Sequence, residues 1–354
     1  MEREANEAVD EWSPLESDSG VFRELLRQNG VRGVDVVDVY DTDTFADDCA
    51  ARGTLVLGYV LLLDKGRHQA TMEPTAAAST APDAGLWFAR QIVNNACATH
   101  ALLSVVMNLD RVTAALRASA ADREEGAPDV SALAGVELGA PLTAFRAFTA
   151  GFDAATTGLA VGNSAALRTA HNAFRNEAQE LLCAGARDEA RRGTHTDDPR
   201  TRLYHFVSYV VVRAGPGAYD VCELDGLYNA APVRVLRAPS YAAAHRGLLA
   251  FLAQRLGALG ARDLFFALMA LVTDALPALE QRRARAEAAG DALEVARLQD
   301  EIDAIARRRA AQDRENARRR HNCLPFVLQL LERLAQNGSL EMLVESSKDA
   351  SGSS

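Results

Sequence analysis

Residues 205–227 read HFVSYVVVRAGPGAYDVCELDGL. Two runs rich in β-branched and aromatic residues flank Ala214-Gly215-Pro216-Gly217, and Gly-Pro-Gly between such runs predicts a tight antiparallel hairpin. Residues that face one another across an antiparallel pair have numbers with a constant sum. A turn centred on residue 215 therefore sets His205 opposite or nearly opposite Asp225, with Cβ atoms about 4.5–5.5 Å apart. A carboxylate so placed accepts the ring N–H and leaves the other ring nitrogen for chemistry. A His–Asp pair with a purely structural role is the alternative.

A braced imidazole needs a nucleophile to activate. RQIVNNACATHALLSVVMN (90–108) supplies a thiol where a helix should begin. Asn94 or Asn95 is the expected N-cap, because a side-chain amide oxygen accepts an otherwise unpaired N–H of the first turn. Cys97 then lies at the positive end of the helix dipole, which stabilises a thiolate. A small apolar side chain packed in the following run would occupy the same position. Gln91, on the loop ahead, can donate with the Cys97 N–H to an oxyanion beside the sulfur. Among the other histidines, His100 is a rival base on the same helix, with no carboxylate near it in sequence. His68, His195 and His245 read as surface residues, and His171 and His321 as packing or capping residues.

The rest of the chain bounds the setting. Its 354 residues are 48% hydrophobic and 6% aromatic, with a formal net charge of −10. That length suits one large domain or two, and abundant alanine favours helix. The acidic balance argues against nucleic acid as the main partner and suits a partner with basic features. Five dispersed cysteines, Cys49, Cys97, Cys183, Cys222 and Cys323, include no CxxC pair, which argues for a reducing compartment and against a disulfide scaffold or zinc site. A charged start, MEREANEAVDEW, is unlike a signal peptide, and no apolar run reaches the ~18 residues of a membrane span. A soluble intracellular protein is the expectation.

Along the chain, 53–64 reads as a buried strand, 70–84 as a loop, and 118–135 as a second connection. Residues 141–182 are helical in pattern, with Phe145, Phe148 and Phe152 at helical spacing and a helix start at Asn163-Ser164. Residues 184–202 carry almost nothing apolar and predict a long exposed loop. Residues 241–275 read as a helix or helix pair, and 278–320 as a charged helical stretch. Its stripe of Val295, Leu298, Ile302 and Ile305 suits a helical hairpin or partner-facing arm. An amphipathic helix over 324–344, closed at Asn337-Gly338, precedes a tail that composition marks as disordered.

Taken together, Gln91, NNACAT, HFVSYV and ELDGL resemble the ubiquitin C-terminal hydrolases, a family of papain-like cysteine proteases. WSPLESDSGVFRELLRQNGVRG (12–33) is similar to the family's opening segment, and FDAATTGLAVGNSAALRTAHNAF (152–174) to the sequence ahead of its variable loop. FFALMALVTD (265–274) and DRENARRRHNCLPFVLQLLERLA (313–335) resemble the extension of the long, proteasome-associated members. The resemblance implies an α+β fold, a central antiparallel sheet flanked by helices, followed by an all-helical C-terminal extension. The expected divisions are a catalytic domain at 8–235, an extension at 236–345 with its arm at 278–320, and a tail at 346–354.

By the same resemblance, Cys97 is the nucleophile, His205 the general base and acid, Asp225 its orienting group and Gln91 the oxyanion donor. Residues 184–202 become the crossover loop, and no cofactor or metal is implied. Expected partners are ubiquitin or its conjugates, plus a proteasomal ubiquitin receptor or a chromatin-remodelling complex reached through the extension, with neither nucleic acid nor membrane. The implied location is cytoplasmic and nuclear. Glu16, Asp18 and the segment 41–48 are candidates for steering ubiquitin's basic tail. Where long members end Lys-rich, VESSKDASGSS carries a single lysine. A non-catalytic protein that holds ubiquitin or a ubiquitin-like modifier is the alternative, motivated by the long charged helix.

Overall fold

The computed structural model describes residues 12–64, 85–122, 128–175, 204–258, 267–321 and 323–344. In chain order these form α1 (Ser19–Gln28), β1 (Val34–Asp38), α2 (Phe45–Arg52), β2 (Val56–Asp64), α3 (Cys97–Val106) and α4 (Leu109–Ala121). A single 3-10 turn, Val130–Gly135, leads to α5 (Ala140–Phe148), α6 (Ala154–Asn163) and α7 (Ala165–Asn172). Then come β3 (Tyr204–Gly215), β4 (Ala218–Leu224), β5 (Val233–Ala238), α8 (Tyr241–Ala258), β6 (Ala267–Thr273), α9 (Leu276–Ala289), α10 (Ala292–Arg319) and α11 (Leu324–Gln336). The segments 70–84, 184–202 and 346–354 lie outside the described residues.

The six strands make one sheet in the order β1-β6-β2-β3-β4-β5, and every neighbouring pair is antiparallel. β2 and β3 are near-continuous apolar runs because helices cover both faces at mid-sheet. Gly58 faces Val105 of α3, whereas Tyr59 meets His245 of α8. Successive strand residues point to opposite faces, so α3 and α8 lie on opposite sides.

The mixed fold with a helical C-terminal region is as expected, with two corrections. Residues 267–273 (ALMALVT) are not helical but form β6, an interior strand between β1 and β2. A seven-residue apolar run has no period that separates helix from strand, and here pairing on both edges decides. The chain after residue 236 is therefore not all-helical: β6 stands between α8 and the run of helices that begins at α9. His245 is no surface residue either: it is buried, and its Nδ1 lies 3.2 Å from the Tyr59 hydroxyl.

α9 and α10 form the expected hairpin. Gly290 turns the chain at φ 72°, and the Asp291 side chain accepts the Glu294 N–H to start α10. The stripe of Val295, Leu298, Ile302 and Ile305 packs on Leu279 and Ala286 in a small second core. The far half of α10 lies on α1 and β1. Arg308 and Arg309 both reach buried Asp35, Arg309 also pairs with Asp274, and Asn316 donates to the Gly20 carbonyl. In α11, Phe326, Val327, Leu328, Leu330 and Leu331 are all exposed. Among the described residues, no helix is long and apolar enough to cross a membrane.

Candidate active site

α3 begins at Cys97 itself, with Ala96 as its N-cap and no side chain accepting from the first turn. Neither asparagine caps it. Asn95 takes a left-handed φ of 62°, and its amide nitrogen donates instead to the Trp12 carbonyl at 2.8 Å. The N-cap alanine offers the first-turn N–H groups no side-chain acceptor, which suits an oxyanion site. Cys97 is half-buried at this end.

The hairpin brings His205 to Asp225, though in a register different from the sequence reading. Tyr209 pairs with Glu223 and Val211 with Val221, so the turn is centred on residue 216, and Asp225 lies opposite Val207. This two-residue difference keeps both side chains on one face, because strands alternate with period two. Asp225 stands just past the end of β4 and reaches back diagonally, with Oδ1 2.8 Å from His205 Nε2. The same oxygen accepts the Leu227 and Tyr228 N–H groups at 3.0 and 3.3 Å, which fixes the carboxylate in the turn.

Asp225 is fully buried and His205 nearly so. Burial alone would lower the imidazole pKa. The hydrogen bonds the ring donates to Asp225 and towards the Cys97 sulfur outweigh it, and the ring is raised to about 9. With Nε2 committed to Asp225, Nδ1 is the nitrogen left for the sulfur. His100, the rival base, has no such support. It is buried, neither ring nitrogen is in hydrogen-bonding geometry, and burial pushes its pKa down to about 4 despite the nearby Ala89 carbonyl.

Gln91 joins the two halves of the site. Its N–H donates to the Gly226 carbonyl at 2.8 Å and its side-chain amide to the Val93 carbonyl at 3.1 Å. The strand of backbone that carries it is clamped. A Cβ at Gly226 would collide with the Ala89 carbonyl, and one at Gly158 of α6 with the Arg90 carbonyl. Arg90 N–H also donates to Ala154. Sequence reasoning missed both glycines; Gly158 inside a helical pattern was the available signal for close packing. His171, read as a packing or capping residue, is buried as packing requires, between the Ser13 carbonyl and the Thr99 hydroxyl at 2.7 Å from each. Glu16 and Asp18 are not free steering charges, since both pair with Arg319 of α10. Among the described residues, no group of three or more His, Cys, Asp or Glu side chains is arranged to hold a metal ion.

A thiol at an uncapped helix start, an imidazole raised to about 9 beside it and a buried carboxylate behind the ring form an arrangement that suits cysteine-hydrolase chemistry of the Cys–His–Asp type. A family model described as "Ubiquitin carboxyl-terminal hydrolase, family 1" matches residues 12–247, and one described as "Ubiquitin carboxyl-terminal hydrolases" matches 295–340; the chain belongs to this family of cysteine-type deubiquitinating hydrolases. It is 30% identical over 347 residues to ubiquitin carboxyl-terminal hydrolase ubh-4 of Caenorhabditis elegans, covering 96% of this chain and 92% of that protein. Over 384 residues it is 23% identical to isozyme L5 of Dictyostelium discoideum, covering 96% and 95%. The crystal structure of Trichinella spiralis UCH37 bound to ubiquitin vinyl methyl ester shares the fold, with a TM-score of 0.59 at 24% identity over 85% of this chain and 99% of that one.

Proposed function

We propose that this protein cleaves the bond after the C-terminal glycine of ubiquitin, with Cys97 as nucleophile. His205 carries the reading: its ring touches the thiol on one side and a buried carboxylate on the other, and is raised to about 9. At neutral pH the raised ring of His205 is the proton carrier beside the sulfur. The thiolate attacks the glycine carbonyl. The oxyanion takes the Cys97 N–H and the side-chain amide of Gln91, whose second N–H is not needed by Val93. His205 gives its proton to the leaving amine as the C–N bond breaks and a thioester forms. It then takes a proton from water, which hydrolyses the thioester and frees the carboxylate and the thiol. Asp225 keeps the ring aimed and balances its charge.

The catalytic unit in this reading is residues 8–235 completed by β6, with α9–α11 and the tail as the extension. The uncovered apolar side chains of α11 suit docking onto a larger assembly, and the occupant proposed for them is a proteasomal ubiquitin receptor or a chromatin-remodelling complex. Such partners place it in cytoplasm and nucleus. The test is hydrolysis of a ubiquitin C-terminal amide reporter. Cys97→Ala should abolish turnover and labelling by a ubiquitin vinyl electrophile, and His205→Ala should lose on the order of 10³-fold or more. Equal turnover by wild type and Cys97→Ala would overturn the assignment, while tight ubiquitin binding without labelling of the wild type would favour a non-catalytic holder.

A further inference from the structure

The turn that presents Cys97 is held from outside by one strap of chain. Among the described residues Asn95 is the only non-glycine with positive φ, a conformation that costs energy unless the surroundings fix it. Its fixing partner is the Trp12 carbonyl. The next residue of the strap, Ser13, offers its carbonyl to His171 Nε2, and its N–H donates to Asn172 Oδ1 at 3.1 Å. A carbonyl can only accept, so His171 donates from Nε2, and its Nδ1 accepts the hydroxyl of Thr99, in the first turn of α3. Trp12 packs edge-on to the same imidazole at 4.8 Å. Two residues before Cys97 and two after it are therefore tied to Trp12-Ser13.

A few residues on, the same strap is gripped by the extension. Arg319, in the last turn of α10, donates to Glu16 at 2.9 Å and to Asp18 at 3.1 Å, and is itself only 15% exposed. Asp18 also caps α1. Its neighbour Arg320 pairs with Glu24 and lies 4.7 Å over the Phe174 ring, two residues from Asn172. The extension thus holds the strap by its outer end while the nucleophile turn holds its inner end.

We propose that Asn95 and His171 are positioning residues for Cys97, and that Arg319 of the extension sets their grip through Glu16 and Asp18. The idea deepens the hydrolase reading and rests on it for its catalytic meaning. Its physical content concerns only the reactivity of the Cys97 thiol. The extension acts by steadying a strained turn from the far side of the amino-terminal segment.

The test uses the full chain and a double-mutant cycle, because spatial continuity alone does not demonstrate coupling. Asn95→Gly keeps the left-handed backbone and removes the tether; Arg319→Ala releases the outer end. The readout is the rate of Cys97 alkylation by iodoacetamide, followed on the Cys97 peptide by mass spectrometry, beside kcat and KM on the ubiquitin reporter. Asn95→Gly should slow alkylation about tenfold, as misplacement of a reacting group by a fraction of an ångström does, and lower kcat in parallel with KM unchanged. Arg319→Ala should slow it about threefold, and the double variant should be no slower than Asn95→Gly alone. Arg318→Ala, which removes an exposed arginine paired only with Glu315 among its described contacts, should match wild type. Urea midpoints measured in parallel separate lost reactivity from lost folding. Single-variant effects that multiply in the double variant, or alkylation rates within twofold of wild type in either single variant, would overturn the coupling. Because alkylation reads the thiol directly, either result stands apart from the Cys97→Ala hydrolysis test, which judges the nucleophile assignment.

Discussion

Acid should destabilise this protein before its ordinary carboxylates titrate. His100, His171 and His245 are each buried without a counter-charge, and burial pushes each down to about 4 from an ordinary 6.5. The unfolded chain binds these protons as pH falls through 6.5, while the folded chain does not until about 4, so stability present at neutral pH is lost across that window. At pH 5 the loss is about 2 kcal/mol for each ring, or roughly 6 kcal/mol for all three. His205 works the other way. Its folded value of about 9 means its contribution is full below 6.5 and is lost as pH rises through 9, so acidification from 7.5 to 5 returns about 1 kcal/mol. Glu24, held at about 2 chiefly by Arg27, contributes above 4.5 and is lost only below that, beyond the fall from pH 7.5 to pH 5. The net fall of about 5 kcal/mol is a large share of a typical ~5–15 kcal/mol. Urea unfolding followed by the fluorescence of Trp12 and Trp87 at pH 7.5 and pH 5 measures it. His245→Gln should recover about 2 kcal/mol of the acid loss. Stabilities equal within about 1 kcal/mol at the two pH values would refute buried, neutral imidazoles.

Gly226→Ala should cost about 1–3 kcal/mol in urea stability, because the new methyl meets the Ala89 carbonyl, and should lower kcat more than it raises KM by moving both Gln91 and Asp225. A wild-type kcat in that variant would mean the clamp is idle. Truncation after residue 235 should give an aggregated product, since it removes the strand between β1 and β2, whereas truncation after 275 should keep native strand content by circular dichroism. Soluble, cooperatively folding 1–235 would contradict the interior place of β6.

How far the sequence spoke depended on how local each signal was. The hairpin was legible because Gly-Pro-Gly and its flanking runs lie side by side, and period-two alternation made the His205–Asp225 pairing survive a two-residue error in register. The expected Asn cap failed because the backbone at Asn95 is left-handed, a conformation set by Trp12, 83 residues earlier. β6 was read as helix because its partners lie elsewhere in the chain. Glu16 and Asp18 were read as free charges because their partner, Arg319, is about 300 residues away. The charged hairpin of α9 and α10 was legible as an object, but its docking on α1 was not.

The placement of β6 has a price during synthesis. β1 and β2 emerge early from the ribosome, yet the strand that joins them is about 200 residues downstream of β2. At ~5–20 residues per second, their facing edges wait on the order of 10–40 s without the partner that covers them. Nascent chains should therefore depend on chaperones over that interval, and ribosome stalling before residue 267 should leave them protease-sensitive.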